Sequence, residues 1–126
     1  MSGRVIAGVG LRRLCPAAEI VALVRRASFL SGRTVDALAA PAFKAGEPGL
    51  GAAATELGLA LLLVDDEALA AAQSRCVTRS ATASRAVGVA SVAEGSALAA
   101  GGDGARLLLP RIAGPRVTCA LAEAWA

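Results

Sequence analysis

Short apolar runs, bounded by glycine, proline or charged residues, are the feature that most constrains how this chain can fold. Their lengths suit buried β-strands and are short for helices. Between them lie alanine-rich stretches in which apolar residues recur every three or four positions, as on one face of a helix. Alternation of these two patterns is typical of α/β domains, in which helices cover a largely parallel sheet.

Five segments fit the strand pattern: Arg4–Val9, Val35–Phe43, Leu59–Val64, Arg106–Leu109 and Arg116–Leu121. The third is a continuous apolar run, which predicts a strand covered on both faces. The second contains a proline, which predicts a bulge or an edge position because proline has no N–H for the sheet. The last two are joined by a short connection, which predicts an antiparallel hairpin.

Four segments fit the helix pattern: Pro16–Ser31, Pro48–Leu57, Asp65–Ala72 and Ser91–Ala100. In the first, Pro16 suits the first helical position, with Cys15 as the N-cap and Gly32 as the C-cap. The last opens with a capping-box sequence that gives Glu94 a structural role. Strands and helices together predict a three-layer α/β/α sandwich with a mixed, mostly parallel sheet and a C-terminal hairpin.

The length of 126 residues suits one domain, residues 1–126. Within it, residues 73–87 carry three arginines without a clear period and predict a mobile loop. A hydrophobic content of 56% with 18% charged residues excludes intrinsic disorder. The longest apolar run, around Leu57–Val64, is far shorter than the ~20 residues that span a bilayer. The stretch Val5–Ala7 is too short for a signal-peptide core, so we expect a cytoplasmic protein without membrane association.

The chain contains no histidine, which excludes histidine-based catalytic triads, metal sites and pH switches. Its three cysteines, Cys15, Cys76 and Cys119, form no C-x-x-C pair, which argues against a zinc site or a disulfide framework. Cys15 lies at a helix start, but no base is in reach to make it a nucleophile. We therefore expect neither a metal nor a cofactor.

The first predicted strand runs into Gly8-Val9-Gly10-Leu11-Arg12-Arg13. A strand followed by G-x-G invites a dinucleotide-binding interpretation, but Arg13 occupies the third glycine position. No acidic residue closes a second strand at the required offset of ~20 residues either. Two interpretations remain: a tight turn that needs small residues, or an anion site of backbone N–H groups and paired guanidinium groups.

Twelve arginines and one lysine, Lys44, carry the positive charge, and the net charge is +3. With so small a charge and three aromatic residues, a nucleic-acid partner is not expected. If the first two strands are parallel, the turns with Arg12-Arg13 and Lys44 leave the sheet at the same end, where open α/β sheets bind ligands. Glu47 is either the partner of Lys44 in an ion pair that braces these turns or a general acid or base.

Five groups of residues, in order along nearly the whole chain, carry a family resemblance. They are Gly8-Val9-Gly10-Leu11-Arg12-Arg13 with Glu19-Ile20, Lys44-Ala45-Gly46-Glu47-Pro48-Gly49-Leu50, Glu56-Leu57-Gly58-Leu59, Gly88-Val89-Ala90-Ser91-Val92-Ala93-Glu94, and Leu108-Leu109-Pro110-Arg111 before Val117-Thr118. This ordered set resembles the CobE family of cobalamin-biosynthesis proteins, which is similar to the C-terminal domain of the cobalt-precorrin hydrolase CbiG. The resemblance implies a three-layer α/β/α domain with a role in building the corrin ring.

Corrin precursors are flat, apolar macrocycles fringed with acetate and propionate groups, which suit a crevice with arginines at its rim and an apolar floor. We therefore expect the chain to bind a precorrin or corrinoid intermediate at the carboxyl ends of the strands. The expected ligand-binding residues are Gly8, Gly10, Arg12, Arg13, Lys44, Glu47, Ser91 and Arg111. Glu47 is the one candidate for proton transfer.

Two alternatives stay open: a hydrolase acting on the cobalt-precorrin lactone, alone or with a partner, and a non-catalytic partner module of another enzyme of the pathway. The sequence departs from the family pattern at Cys15 and Pro16, where Thr or Ser is usual, and at Gly46, where an acidic residue is common. The change at Gly46 removes a carboxylate beside Glu47 and weakens the case for acid–base chemistry. The resemblance also leaves out the N-terminal and central parts of the hydrolase, so ring opening is not assigned by it alone.

Overall fold

The computed structural model describes residues 3–77 and 91–125 of the chain. The strands in this part are β1 (Arg4–Leu11), β2 (Ala37–Pro41), β3 (Ala60–Val64), β4 (Arg106–Ala113) and β5 (Val117–Ala124). The helices are α1 (Ala17–Ser31), α2 (Pro48–Leu57), α3 (Asp66–Ala71) and α4 (Val92–Gly101). Short 3₁₀ turns, Ala42–Lys44 and Gln73–Arg75, follow β2 and α3.

The five described strands form one mixed sheet in the order β3-β2-β1-β5-β4. β1, β2 and β3 are parallel, whereas β5 is antiparallel to both of its neighbours, β1 and β4. β1 to β4 therefore all end at the same end of the sheet, here called the carboxyl end. The hairpin and the mixed sheet are as predicted from the sequence.

Strand alternation divides the core between the two faces of the sheet. Val5, Ala7 and Val9 of β1 pack with α1 and α2 on one face, and Ile6 packs with α4 on the other. α1 buries the apolar stripe that its periodicity predicts, made of Ile20, Val21, Leu23, Val24 and Ala27. Helices therefore cover both faces, which confirms the predicted α/β/α sandwich.

The helix ends follow the predicted residues with one correction. Pro16, not Cys15, is the N-cap of α1, and it supplies no side-chain oxygen to the first helical N–H groups. Gly32 and Gly58 end α1 and α2 with φ of 69° and 68°, a left-handed conformation that glycine adopts readily. None of the four described helices is long and apolar enough to cross a membrane.

The predicted positions of the second and third strands were wrong. β2 lies inside the sheet, between β1 and β3, although its proline suggested an edge. Pro41 is the last residue of β2, where the sheet ends and a missing N–H matters little. β3 is an edge strand, and Ala60 and Leu63 are exposed rather than covered. A continuous apolar run therefore does not distinguish a covered strand from an edge strand.

The first part of the predicted loop at residues 73–87 is anchored to the α4–β4 connection. Arg75 donates from Nη1 to the carbonyl oxygens of Gly102 and Ala105 at 3.2 and 3.0 Å. This arginine therefore contributes to the fold, next to the end of α4, where its charge suits the helix dipole. Residues 78–87 lie outside the described residues, so the mobile loop stays a prediction there.

Candidate functional site

The turns that follow β1 and β2 meet at the carboxyl end of the sheet. Leu14, in the β1–α1 turn, donates its N–H to Oε1 of Glu47, the N-cap residue of α2, over 2.6 Å. The backbones also approach closely, since a Cβ added to Gly49 would lie 2.1 Å from the carbonyl oxygen of Cys15. Only glycine leaves room for this approach. The two turns therefore form one continuous surface.

Three cations stand on this surface. Arg12 and Arg13 are exposed, and Lys44 is half-buried at the end of the 3₁₀ turn after β2. The N–H of Arg12 donates to the carbonyl oxygen of Arg116 over 2.8 Å, which fixes its backbone beside β5. Within residues 3–77 and 91–125, none of the three forms an ion pair with a carboxylate. Their charges are therefore open to a ligand.

Glu47 braces the two turns through a contact other than the predicted ion pair with Lys44. Its carboxylate holds the N–H of Leu14, a residue with a left-handed φ of 61°. This conformation costs a side-chain-bearing residue ~1–2 kcal/mol. The hydrogen bond therefore holds the β1–α1 turn in a conformation that leucine would not choose by itself.

A shallow apolar groove of about 320 Å³ lies where the two turns meet. Its lining residues are Leu14, Cys15, Pro16, Ala17, Pro48, Gly49 and Ala52. Burial raises the pKa of the Cys15 thiol, and the negative charge of Glu19 raises it further. The thiol therefore stays protonated at neutral pH, which argues against a nucleophile in this groove.

Gly8 and Gly10, two of the predicted ligand-binding residues, face α4. A Cβ on Gly8 would lie 2.2 Å from the carbonyl oxygen of Ala93 and 2.4 Å from the backbone nitrogen of Ala97. A Cβ on Gly10 would lie 2.9 Å from the hydroxyl of Thr118 on β5 and 3.2 Å from Cβ of Val92 in α4. On this face the glycines serve close packing of a helix on β1, and α4 occupies the space that a phosphate or carboxylate would need. The structure therefore favours the structural interpretation of the G-x-G sequence.

Ser91 and the backbone of Arg111 contact a second, buried group on the α4 side, while Arg111 itself is half-buried. Its centre is Glu94, a fully buried residue whose carboxylate accepts N–H groups from Val77 and Arg111, each at 2.9 Å. Ser91 caps α4, since its Oγ accepts the N–H of Glu94 at 3.2 Å. The predicted capping box is not closed, because the N–H of Ser91 donates to Gln73 instead.

Arg111 lies apart from Arg12, Arg13 and Lys44, the cations of the β1–α1 and β2–α2 turns. The next residue, Ile112, pairs with Cys119 of β5, which in turn pairs with Val9 of β1. Arg111 is therefore two strands from β1 and below the level of Arg12, which corresponds to ~10 Å across the sheet and ~13 Å along it. The eight residues predicted to bind a ligand thus divide into four on the β1–α1 and β2–α2 turns, two next to Glu94 and a pair of packing glycines.

Two features were not predicted from the sequence. One is the hydrogen bond from the N–H of Leu14 to Glu47, and the other is the acceptance of two backbone N–H groups by the carboxylate of Glu94. No local pattern marks Leu14, because leucine rarely adopts a positive φ. A signal for Glu94 was present, since it is the one charged residue of α4, and a buried carboxylate must find donors. In the described ranges, no group of three or more cysteine and carboxylate side chains is placed to hold a metal ion.

Comparisons with known proteins agree with this architecture. Residues 5–122 match the family described as cobalamin synthesis G C-terminus. The crystal structure of CobE, a protein from the cobalamin (vitamin B12) biosynthetic pathway, is 36% identical with a TM-score of 0.90, covering 98% of this chain and 92% of that one. Cobalamin biosynthesis protein chiG from Agrobacterium tumefaciens is 41% identical with a TM-score of 0.78, covering 95% and 98%.

A cobalamin biosynthesis protein G homologue from Sulfolobus solfataricus shares the fold at 20% identity and a TM-score of 0.70. The match covers 96% of this chain but 37% of that longer protein. No curated protein matches the chain. The family match spans almost every described element, from β1 to β5, and two close structural relatives act in the same pathway. The chain therefore belongs to the CbiG C-terminal family of cobalamin-biosynthesis proteins.

Proposed function

We propose that the chain binds a polycarboxylate precorrin or corrinoid intermediate at the carboxyl end of the sheet, on the surface formed by the β1–α1 and β2–α2 turns. One observation carries the proposal: the bond from Leu14 to Glu47 joins two turns whose three cations have no carboxylate partner among the described residues. Unpaired cations held together on a rigid frame are what recognition of several carboxylates requires.

The chemistry of the surface suits the two halves of such a ligand. Arg12 and Arg13 supply planar guanidinium groups that bind carboxylates in a bidentate manner, and Lys44 adds a third charge. The apolar groove beside them, to which the exposed Leu14 contributes, offers surface to the macrocycle. A corrin ring with acetate and propionate groups presents an apolar face and an anionic rim in the same way.

Arg111 is the cation on the far side of this end of the sheet. A macrocycle with carboxylates all around its rim can contact two separated groups of cations, so Arg111 is proposed to hold a carboxylate opposite those bound by Arg12 and Arg13. Its backbone is fixed by Glu94. Gly8, Gly10 and Ser91 contribute indirectly, because they set the position of α4 beside this surface.

Binding is favoured over catalysis by the state of Glu47. One carboxylate oxygen of Glu47 is engaged with the N–H of Leu14. A residue that must keep this bond to maintain the turn serves better as a positioning residue than as a proton donor. The hydrolase alternative predicts turnover, which the experiment below detects in the same samples.

The experiment is an absorbance titration of the protein with a panel of corrinoid precursors, comparing Arg12→Ala/Arg13→Ala with Arg25→Ala/Arg26→Ala. Both double variants remove two exposed arginines, but the second pair lies on α1 away from the turns. Loss of one charge-assisted contact of ~1.4 kcal/mol lowers affinity tenfold, so we expect at least about a tenfold loss for the first variant and none for the second. Equal affinities of the two variants would reject this site.

Product analysis of the same mixtures addresses the hydrolase alternative. With protein at stoichiometric concentration, release of a small aldehyde or acid from the precorrin lactone would show that the domain is an enzyme. The binding proposal predicts a shifted Soret-region spectrum without such a product.

A further inference from the structure

In the part of the chain that the structure describes, one edge of the apolar strand β3 pairs with no other strand. Its five residues, Ala60–Val64, are all apolar, and they pair on one side with β2. Among residues 3–77 and 91–125, no strand lies on the other side. Ala60 is exposed, and Leu63 is 49% exposed. The N–H and C=O groups of such an edge form a template on which another extended segment can pair.

The opposite edge of the sheet carries the features that prevent such pairing, and β3 carries none of them. β4 contains Pro110, which offers no N–H, and its pairing with β5 has two register irregularities. It also bears Arg106 and Arg111. Proline, bulges and charges are the usual means by which proteins block edge strands. Their presence at one edge and absence at the other points to a use for the β3 edge.

The charges around β3 indicate what fits there. Between Lys44 and Arg75 the chain has no basic residue and five acidic ones, which are Glu47, Glu56, Asp65, Asp66 and Glu67. Three of these directly follow β3, and Glu56 lies at the end of the preceding helix, so both ends of the strand are acidic. With a net charge of +3 for the whole chain, the remainder carries +8, so this acidity is local.

We propose that the β3 edge binds an extended apolar segment of another polypeptide, flanked by lysine or arginine, as an additional strand of the sheet. Backbone hydrogen bonds would supply affinity, and the acidic flanks would select a basic partner. A second copy of the chain is a poorer occupant, because two-fold pairing of β3 with itself brings the acidic end after Val64 against the acidic end near Glu56. This interface is separate from the proposed corrinoid site and does not depend on it.

The test is fluorescence anisotropy of the labelled peptide Lys-Lys-Val-Leu-Val-Leu-Val-Lys-Lys with the full chain, compared with the same peptide carrying Glu in place of Lys. The matched protein variants are Leu63→Lys, which puts a charge on the edge, and Leu30→Lys, which makes the same change at the 50% exposed Leu30 of α1. Circular dichroism confirms that each variant is folded, and amide hydrogen exchange locates the peptide on the wild-type chain.

We expect binding of the basic peptide, at least about tenfold weaker binding of the acidic one, a similar loss in Leu63→Lys and no change in Leu30→Lys. Hydrogen exchange should slow at residues 60–64. Equal binding of both peptides, an unaltered affinity in Leu63→Lys, or protection elsewhere would overturn the proposal. So would a dimer in analytical ultracentrifugation that Leu63→Lys dissociates, because a second copy would then occupy the edge.

Discussion

Two glutamates at the carboxyl end of the sheet use their carboxylates in the same way but in opposite surroundings. Glu47 accepts one backbone N–H, remains half-buried and stands on a surface with three cations that have no carboxylate partner among the described residues. Glu94 is fully buried in α4 and accepts two backbone N–H groups from other segments of the chain. Both residues join elements that are far apart in sequence.

The comparison divides the carboxyl end of the sheet into two regions. The region around Glu94 maintains the fold, and the region around Glu47 is open to a ligand. Around Glu94, the carboxyl oxygens accept backbone N–H groups at a position that solvent does not reach. Around Glu47, three positive charges at an exposed surface form no ion pair within residues 3–77 and 91–125. Substitutions in the buried region should therefore change stability, whereas substitutions in the exposed region should change affinity for a corrinoid.

The largest effect is expected for Glu94→Ala. Two part-buried N–H groups, those of Val77 and Arg111, would lose their acceptor at ~1–3 kcal/mol each, so the free energy of unfolding should fall by about 4 kcal/mol. The measurement is urea denaturation with a common m-value. Glu67→Ala, an exposed glutamate of α3, is the control and should change stability by less than about 0.5 kcal/mol. Similar small losses in both variants would show that the two hydrogen bonds accepted by Glu94 contribute little to the stability of the fold.

Gly8→Ala should be the next most damaging. The added methyl group would overlap the backbone of α4 at Ala93 and Ala97, and overpacking of this kind costs about 3 kcal/mol. Gly51→Ala is the matched control, because nothing lies within 4 Å of its Cβ position in α2. It should stabilise the chain by about 0.5 kcal/mol through helix propensity. A well-folded Gly8→Ala variant with wild-type stability would contradict the close helix packing.

Glu47→Ala tests the exposed region and should cost about 1 kcal/mol, because one charge-assisted bond to a partly exposed N–H is lost. Corrinoid affinity should fall several-fold as the β1–α1 turn loosens. Glu47→Gln keeps a carbonyl oxygen for Leu14 and should restore most of that affinity. If the Gln variant binds as poorly as the Ala variant, the negative charge of Glu47 itself contributes to corrinoid affinity, beyond its hydrogen bond to the turn.

The smallest effect is expected for Leu14→Gly. Glycine adopts φ near 61° with little strain, which more than offsets its greater freedom in the unfolded chain, so the variant should gain about 0.5 kcal/mol of stability. Thermal unfolding monitored by circular dichroism measures it. A loss of stability would mean that packing of the Leu14 side chain in the groove stabilises the chain by more than its positive φ destabilises it.

The sequence predicted helices and strands well where the apolar periodicity of a segment ends at a glycine or begins at a proline. α1 and α2 were found because an apolar stripe or a proline start coincides with a glycine end, and the hairpin of β4 and β5 because its connection is short. The order of the strands in the sheet could not be predicted from local sequence patterns. Whether β3 is central or at an edge depends on which strands pair, and this is decided by contacts between residues far apart in the chain.

The site was predictable in part for a similar reason. That Arg12 and Lys44 leave the sheet at one end follows from two parallel strands, which the alternation of elements suggests. The separation of Arg111 from them depends on β5 lying between β4 and β1, a long-range pairing. The packing role of Gly8 depends on α4, which follows it by more than eighty residues, so a local G-x-G motif could not distinguish a ligand site from a helix contact.

If Arg12, Arg13 and Lys44 hold the carboxylates of a corrinoid, esterification of those carboxylates should remove most of the affinity. Isothermal titration calorimetry would compare a corrinoid polycarboxylic acid with its fully methyl-esterified derivative, which keeps the macrocycle and removes the charges. We predict that the acid binds and that the ester binds about a hundredfold more weakly, with the loss shrinking in Arg12→Ala/Arg13→Ala. Equal affinity for acid and ester would show that these cations do not bind the carboxylates of the ligand.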